Sequence, residues 1–242
     1  MPATTRDRFT SRFHAAARFV AQRGLLKAVV WSETSVTVLG RERLSDVGDA
    51  YVLVANHTSH LDTPLIMGAL PRRLARYLAA GAAADYFFDV WWRRGLTALF
   101  FNAFPVDRTG VNPRRVNAKS LLNRGVPLLI FPEGTRSRDG SLGTFKPGAA
   151  ALASSLEVPV VLVAIVGAHA AHPRGSKWPK RGRLPVKVVF GDPLSARPGE
   201  PANEFTQRIR SAIGKLAEEN SDAAPGPNMA PSHVVMSEGD RP

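Results

Sequence analysis

Residues Asn56-His57-Thr58-Ser59-His60-Leu61-Asp62 place two imidazoles, two hydroxyls and a carboxylate directly after the apolar run Tyr51-Val52-Leu53-Val54-Ala55. A turn has a use for the Asn, Thr and Ser, but none for the histidines. An aspartate that accepts a proton from one imidazole nitrogen fixes the tautomer and raises the basicity of the other nitrogen, as a general base requires. His57 and Asp62 are five residues apart, which on a continuous helix is about 140° in direction. They meet only if His57 lies in a turn ahead of the helix. Hydroxyl caps at Thr58 and Ser59 and the helical spacing of Leu61-Asp62-Thr63-Pro64-Leu65-Ile66-Met67 supply such a turn. The chain has no cysteine and no serine within G-x-S-x-G, so the histidine suits activation of a substrate hydroxyl rather than of a protein nucleophile. Two other readings of these residues stand beside this one. They could be turn residues that only cap a helix, or His57, His60 and Asp62 could be metal ligands, although the i and i+3 histidines lack the zincin pattern.

A second polar group follows another apolar run, Val126-Pro127-Leu128-Leu129-Ile130-Phe131. In the turn from Pro132 to Gly140, Gly134 permits close backbone approach, Thr135 and Ser137 add hydroxyls, and Arg136 offers a planar fork of donors suited to phosphate. Lys146 comes just before Pro147 and a helix start, another favourable place for an anion. A solvated loop with ordinary charges is the competing reading. Asp107 and Arg108 follow a third short apolar run, Phe104-Pro105-Val106. Sites in open α/β sheets gather at the carboxyl ends of strands. A His/Asp base at one strand end and arginine-bearing turns at two others describe a reaction on a phosphate-bearing alcohol.

The elements that must hold these groups are legible from periodicity. Residues 35–39, 51–56, 101–106, 126–131, 158–166 and 186–190 read as strands, and 62–70, 86–100, 112–124, 147–156 and 203–219 as helices. This alternation predicts one α/β domain with helices covering a mostly parallel or mixed sheet. From Arg6 to Trp31 the pattern is helical, with Phe9, Phe13, Ala16 and Val20 on one face and a short apolar segment after Gly24. It fits a helix lying in a membrane interface or one packed on its own domain. The expected division is an amphipathic segment at 1–31, a catalytic domain at 32–219 and a disordered tail at 220–242.

Composition narrows the partners. A net charge of +12 calls for a polyanionic environment. No helix-turn-helix, zinc-finger or aromatic RNA-binding signature is present, so nucleic acid is not expected. No stretch reaches the roughly 20 apolar residues of a membrane span, and no secretory leader is recognisable. The expectation is a peripheral protein on the cytoplasmic face of an anionic membrane. Phe87, Phe88, Trp91 and Trp92 beside Arg93 and Arg94 suit either the bilayer interface or an acyl pocket. The basic, Pro- and Gly-rich run at 172–183 reads as a loop that could meet the phosphates of coenzyme A or an acidic carrier protein.

In these residues the chain resembles the 1-acyl-glycerol-3-phosphate acyltransferase family of glycerolipid acyltransferases. Asn56, His57 and Asp62 match N-H-x-x-x-x-D, and Phe131-Pro132-Glu133-Gly134-Thr135-Arg136-Ser137 matches F-P-E-G-T-R-S without change. Order, separation, the Thr144-Phe145-Lys146-Pro147-Gly148 block and a fourth block at Val158-Pro159-Val160 fit as well. The second motif departs at Asn102 and Pro105 but keeps Arg108. The resemblance implies direct transfer of a fatty acyl group, from acyl-CoA or acyl-carrier protein, to the hydroxyl of a lysophospholipid, with lysophosphatidic acid the first choice of acceptor. Another lysolipid or a glycolipid is the alternative acceptor, and a metal-dependent hydrolase or a lipid-binding protein the alternative of another class. It further implies His57 as base, Asp62 as its orienting group, and Arg136 with Arg108 and Lys146 on the acceptor phosphate. Glu133 is expected to order the turn or meet the acceptor, and backbone N–H groups around Gly134 to face the oxyanion. No metal or cofactor is expected, the acyl thioester being a co-substrate.

Overall fold

The computed structural model describes residues 8–83, 99–106, 118–176 and 178–221. Seven strands form one sheet: β1 (Ser35–Leu39), β2 (Val52–Ala55), β3 (Ala79–Ala83), β4 (Phe104–Val106), β5 (Leu128–Ile130), β6 (Val160–Val166) and β7 (Pro185–Phe190). Their order is β1-β7-β6-β2-β5-β3-β4. Every neighbouring pair is parallel except β6 and β7, so β1 and β7 run against the other five. β2 is central, with Val54 opposite Ile130 on one side and Leu162 on the other.

The side-chain period of two divides β2 between two cores. Leu53 and Ala55 join α3 (Asp62–Ala69) through Leu65, Ile66 and Met67 on one face. Val52 and Val54 join α5 (Ala118–Asn123), α6 (Gly148–Ser155) and α8 (Ala202–Glu219) on the other, through Leu121, Ala150, Phe205 and Ile209. With both faces covered, the central strands read as unbroken apolar runs, as a parallel sheet requires. Two further short helices are α4 (Arg72–Ala75) and α7 (Ala168–Ala171).

One strand departs from expectation. β3 lies in Ala79-Ala80-Gly81-Ala82-Ala83, residues of low strand propensity, yet Ala79 and Ala80 are buried and pair with Leu128 and Leu129. Position between two strands overrides propensity there. The N-terminal segment forms α1 (Arg12–Val20), a π-helical turn (Ala21–Leu26) and α2 (Lys27–Glu33). Its buried side is not the apolar one. Ala15, Arg18, Gln22 and Val30 face inward, whereas Phe13 is 80% and Val20 69% exposed. Arg18 donates to the Arg8 carbonyl, and Gln22 Nε2 to the Phe100 carbonyl at 2.6 Å. Burial, and then the charge of Arg8, push the Arg18 guanidinium down to about 10. The expected helix at 86–100 falls almost wholly, the first residues of that at 112–124, and the tail from 222 wholly, outside the described residues.

Candidate active site

The polar turns meet at the carboxyl ends of β2 and β5. The chain leaves β2 at Asn56, whose side-chain amide imitates one more peptide of the strand. Asn56 Nδ2 donates to the Ile165 carbonyl at 2.9 Å, and the Ile165 N–H donates to Asn56 Oδ1 at 2.8 Å. Pairing with β6 thus continues while the main chain turns away. Asn56→Ala strands a buried N–H and a buried C=O of Ile165, at about 1–3 kcal/mol each. We expect a loss of about 3 kcal/mol of stability, read from the urea midpoint at unchanged slope.

Asp62, fully buried at the first position of α3, closes the turn that follows. Its Oδ2 accepts from His57 Nδ1 at 2.8 Å, from the Thr58 N–H at 2.7 Å and from the Ser59 N–H at 2.8 Å. The expected hydroxyl caps at Thr58 and Ser59 are therefore corrected. The Thr58 hydroxyl caps nothing, and Ser59 Oγ takes the Leu61 N–H at 3.2 Å, lies 3.4 Å from His172 Nδ1 and donates to the His172 carbonyl at 2.9 Å. The carboxylate reaches back over the turn because an acceptor-only group can collect three donors at one oxygen. A carboxylate beside Nδ1 places the imidazole proton on Nδ1 and the lone pair on Nε2. The His57 ring is held flat on Phe131, with centroids 4.1 Å apart and an interplanar angle of 19°. Its side chain remains 21% exposed.

Glu133 ties the two turns together. Its Oε1 accepts the His57 N–H at 2.8 Å and its Oε2 the Gly143 N–H at 3.2 Å, while the Ser137 N–H donates to the His57 carbonyl at 2.8 Å. Burial pushes the Glu133 carboxyl above its ordinary value, and the two N–H bonds oppose that rise. Gly134 has φ 71°, and a Cβ there would lie 3.3 Å from Lys146 Nζ, so the ammonium sits over the glycine. Of the N–H groups around Gly134 expected to face an oxyanion, that of Gly134 itself is engaged by the Phe131 carbonyl at 3.0 Å. Arg136 is half-buried and Thr135 exposed in the same turn. His60 lies beside His172, ring centroids 6.0 Å apart. Its pKa falls to about 4, through desolvation first and then the charges of Arg136, His172 and His57. His60 is thus neutral near pH 7 in a basic surrounding. Arg108 and Asp107 lie outside the described residues, although β4, which leads to them, ends on the same side of the sheet.

Some of the supporting contacts carried no sequence signal. Phe131 stacks on His57 because the strand end delivers it there, and Arg210, on α8 and far from either motif, donates to the Gly143 carbonyl at 2.9 Å and the Leu142 carbonyl at 3.2 Å. Only the tertiary fold brings these to the site. The bridge made by Asn56 was half visible, as a motif residue without an assigned partner.

The chain is 28% identical over 229 residues to the chloroplastic 1-acyl-sn-glycerol-3-phosphate acyltransferase BAT2 of Brassica napus, covering 86% of this chain and 57% of that protein. It is 28% identical over 172 residues to the alpha 1-acyl-sn-glycerol-3-phosphate acyltransferase of Homo sapiens, covering 67% and 57% respectively. The chain thus spans between half and two thirds of the length of the first curated relatives it matches. The crystal structure of the 1-acyl-sn-glycerophosphate acyltransferase from Thermotoga maritima superposes with a TM-score of 0.65 at 25% identity, covering 89% of this chain and 86% of that one. The acyltransferase family model matches residues 35–166, more than half of the chain and the whole of both motifs, and the protein belongs to that family.

Proposed function

We propose that the protein transfers a fatty acyl group from an acyl thioester to the free hydroxyl of a lysophospholipid, with lysophosphatidic acid as acceptor and phosphatidic acid as product. The 2.8 Å bond between His57 Nδ1 and a buried carboxylate, set beside an arginine- and lysine-bearing turn, carries this reading. His57 Nε2 takes the proton of the acceptor hydroxyl as its oxygen attacks the thioester carbonyl. The C–S bond then breaks, and the imidazolium returns the proton to the leaving thiolate. Asp62 stabilises the imidazolium, whose charge it faces at contact distance. Arg136 and Lys146 hold the acceptor phosphate, with Arg108 and Thr135 as further contacts, and Glu133 sets the position of the His57 backbone. The thioester is already activated, so the transfer uses neither metal nor cofactor. The donor is acyl-CoA or acyl-carrier protein. Within this scheme residues 32–219 are the catalytic unit.

A lipid acceptor requires access to a membrane. No helix among the described residues is long and apolar enough to cross one. The exposed apolar side chains of α1 and its continuation, Phe13, Val20, Leu25 and Val29, instead offer a surface for lipid. We assign residues 1–31 to that contact.

The deciding assay is release of free thiol from palmitoyl-CoA, with and without lysophosphatidic acid, the lipid product being identified. Release that depends on the acceptor and yields phosphatidic acid is expected. Release that ignores the acceptor would make the enzyme a thioesterase or assign it another acceptor. No release with either acyl-CoA or acyl-carrier protein would leave a binding protein.

A further inference from the structure

We propose that the basic segment 172–183 is a second lipid contact, which holds the mouth of the site against an anionic bilayer. It is anchored at both ends. Ser59 Oγ donates to the His172 carbonyl and Arg174 Nη1 to the Arg136 carbonyl at 3.2 Å, which ties one end to the active-site turns. Arg183 Nη2 donates to the Trp31 carbonyl at 3.1 Å, which ties the other to the end of α2. Between these anchors Trp178 is 77% exposed, among exposed Arg174, Lys180, Arg181 and Arg183. No acidic residue occurs between Glu157 and Asp192. Of the seven large hydrophobic side chains exposed among the described residues, Phe13, Val20, Leu25 and Val29 lie on the N-terminal helices and Trp178 on the segment bonded to their end. An indole with cationic neighbours is the composition favoured at the headgroup level, and each basic group is attracted by anionic lipid. Continuity with the apolar helix face favours a bilayer over a soluble partner. The proposal rests on the lipid-substrate reading above, and its test does not require turnover.

The full chain is sedimented with phosphatidylcholine vesicles with and without phosphatidylglycerol. Lys180→Glu/Arg181→Glu should lower partitioning onto the anionic vesicles at least tenfold, and Trp178→Ala severalfold on both. Both variants should keep the turnover of wild type on a short-chain, water-dispersed acceptor. Unchanged partitioning overturns the proposal. If partitioning is unchanged while the KM for acyl-CoA rises, the segment holds the phosphates of the donor instead. A wild-type protein that binds vesicles through this segment but transfers no acyl group would sink only the enzymatic reading.

A separate observation concerns Arg210. We infer that it is a positioning residue for the His57 turn, although it lies beyond the family-matched residues 35–166. The Leu142 carbonyl and the Gly143 N–H belong to one peptide group. Arg210 donates to its oxygen, and its N–H donates to Glu133 Oε2, while Glu133 Oε1 receives the His57 N–H. A cation on the carbonyl polarises the peptide and strengthens the bond at its other end. A Cβ at Gly143 would lie 2.8 Å from Glu133 Oε2 and so displace that carboxylate oxygen. Arg210→Ala should lower kcat about tenfold or more while both KM values stay within twofold, and Arg210→Lys, which keeps a charged donor, should recover most of it. Gly143→Ala should reproduce the loss from the other end of the relay. Equal losses in Arg210→Ala and Arg210→Lys with matching falls in Tm, or KM changes without a kcat change, would reduce Arg210 to a structural tie.

Discussion

His57→Ala lowers kcat for acceptor-dependent thiol release by about 10³-fold, within the range of about 10² to 10⁴ for loss of a positioned base, and leaves the fold intact. The ring makes one side-chain hydrogen bond and one stack, and its backbone N–H, which Glu133 uses, survives the substitution. On the proposed mechanism the cost falls on chemistry, because Nδ1 is held by Asp62 and Nε2 is the nitrogen left to take the hydroxyl proton. Asp62→Asn separates the two roles of the dyad. An amide oxygen can still accept from His57 Nδ1, but the two backbone donors at Thr58 and Ser59 now compete for a weaker acceptor, and no charge faces the imidazolium. A loss approaching that of His57→Ala is expected, together with a loss of stability that His57→Ala lacks. Wild-type rates in His57→Ala would refute the assignment and restore the view of these residues as a helix-capping turn.

Arg136→Ala raises the KM for lysophosphatidic acid by about 10²-fold or more, since truncating one partner of a charged, desolvated pair costs about 2–5 kcal/mol, and it leaves the KM for the acyl thioester within twofold. The guanidinium sits beside His60, which its charge helps to keep neutral, and its carbonyl, which survives truncation, is the group that holds Arg174. The loop anchor is therefore retained while the phosphate contact is lost. Arg136→Lys should restore part of the affinity, because an ammonium supplies charge without the bidentate fork. An unchanged acceptor KM would move the phosphate to Lys146 and Arg108. Equal increases for both substrates would mean that the turn as a whole had shifted.

Much of this was readable before any coordinates. Strand positions at 35–39, 158–166 and 186–190 followed from continuous or alternating apolar runs, and observed boundaries differ by at most two residues. The His57–Asp62 pairing followed from turn geometry, because five residues cannot bring two side chains together on one helix. β3 was invisible, since five Ala and Gly residues carry no strand signal and are ordered by neighbours far away in sequence. The N-terminal face was half legible. Periodicity grouped Phe9, Phe13, Ala16 and Val20, but Phe9 is buried while Phe13 and Val20 are exposed. Hydropathy cannot tell a face turned to lipid from one turned to a protein core, because both are apolar.

By itself the sequence determined the alternation of strands and helices, the pairing of His57 with Asp62, and the placing of the arginine- and lysine-bearing turn after a buried strand. These depend on local periodicity and on residue chemistry, which the order of side chains carries directly. The tertiary structure alone decided that Asp62, rather than the Thr58 and Ser59 hydroxyls, closes the turn, that Glu133 joins the His57 and Gly143 backbones, and that Asn56 extends β2 onto β6. It also decided that Arg210 and the 172–183 segment reach the site from outside the motifs. Each of these is a contact between residues 10 to 109 positions apart or a choice among equally able hydrogen-bond acceptors. Such choices are settled by which groups the sheet and its covering helices bring within about 3 Å, a distance that no local pattern encodes.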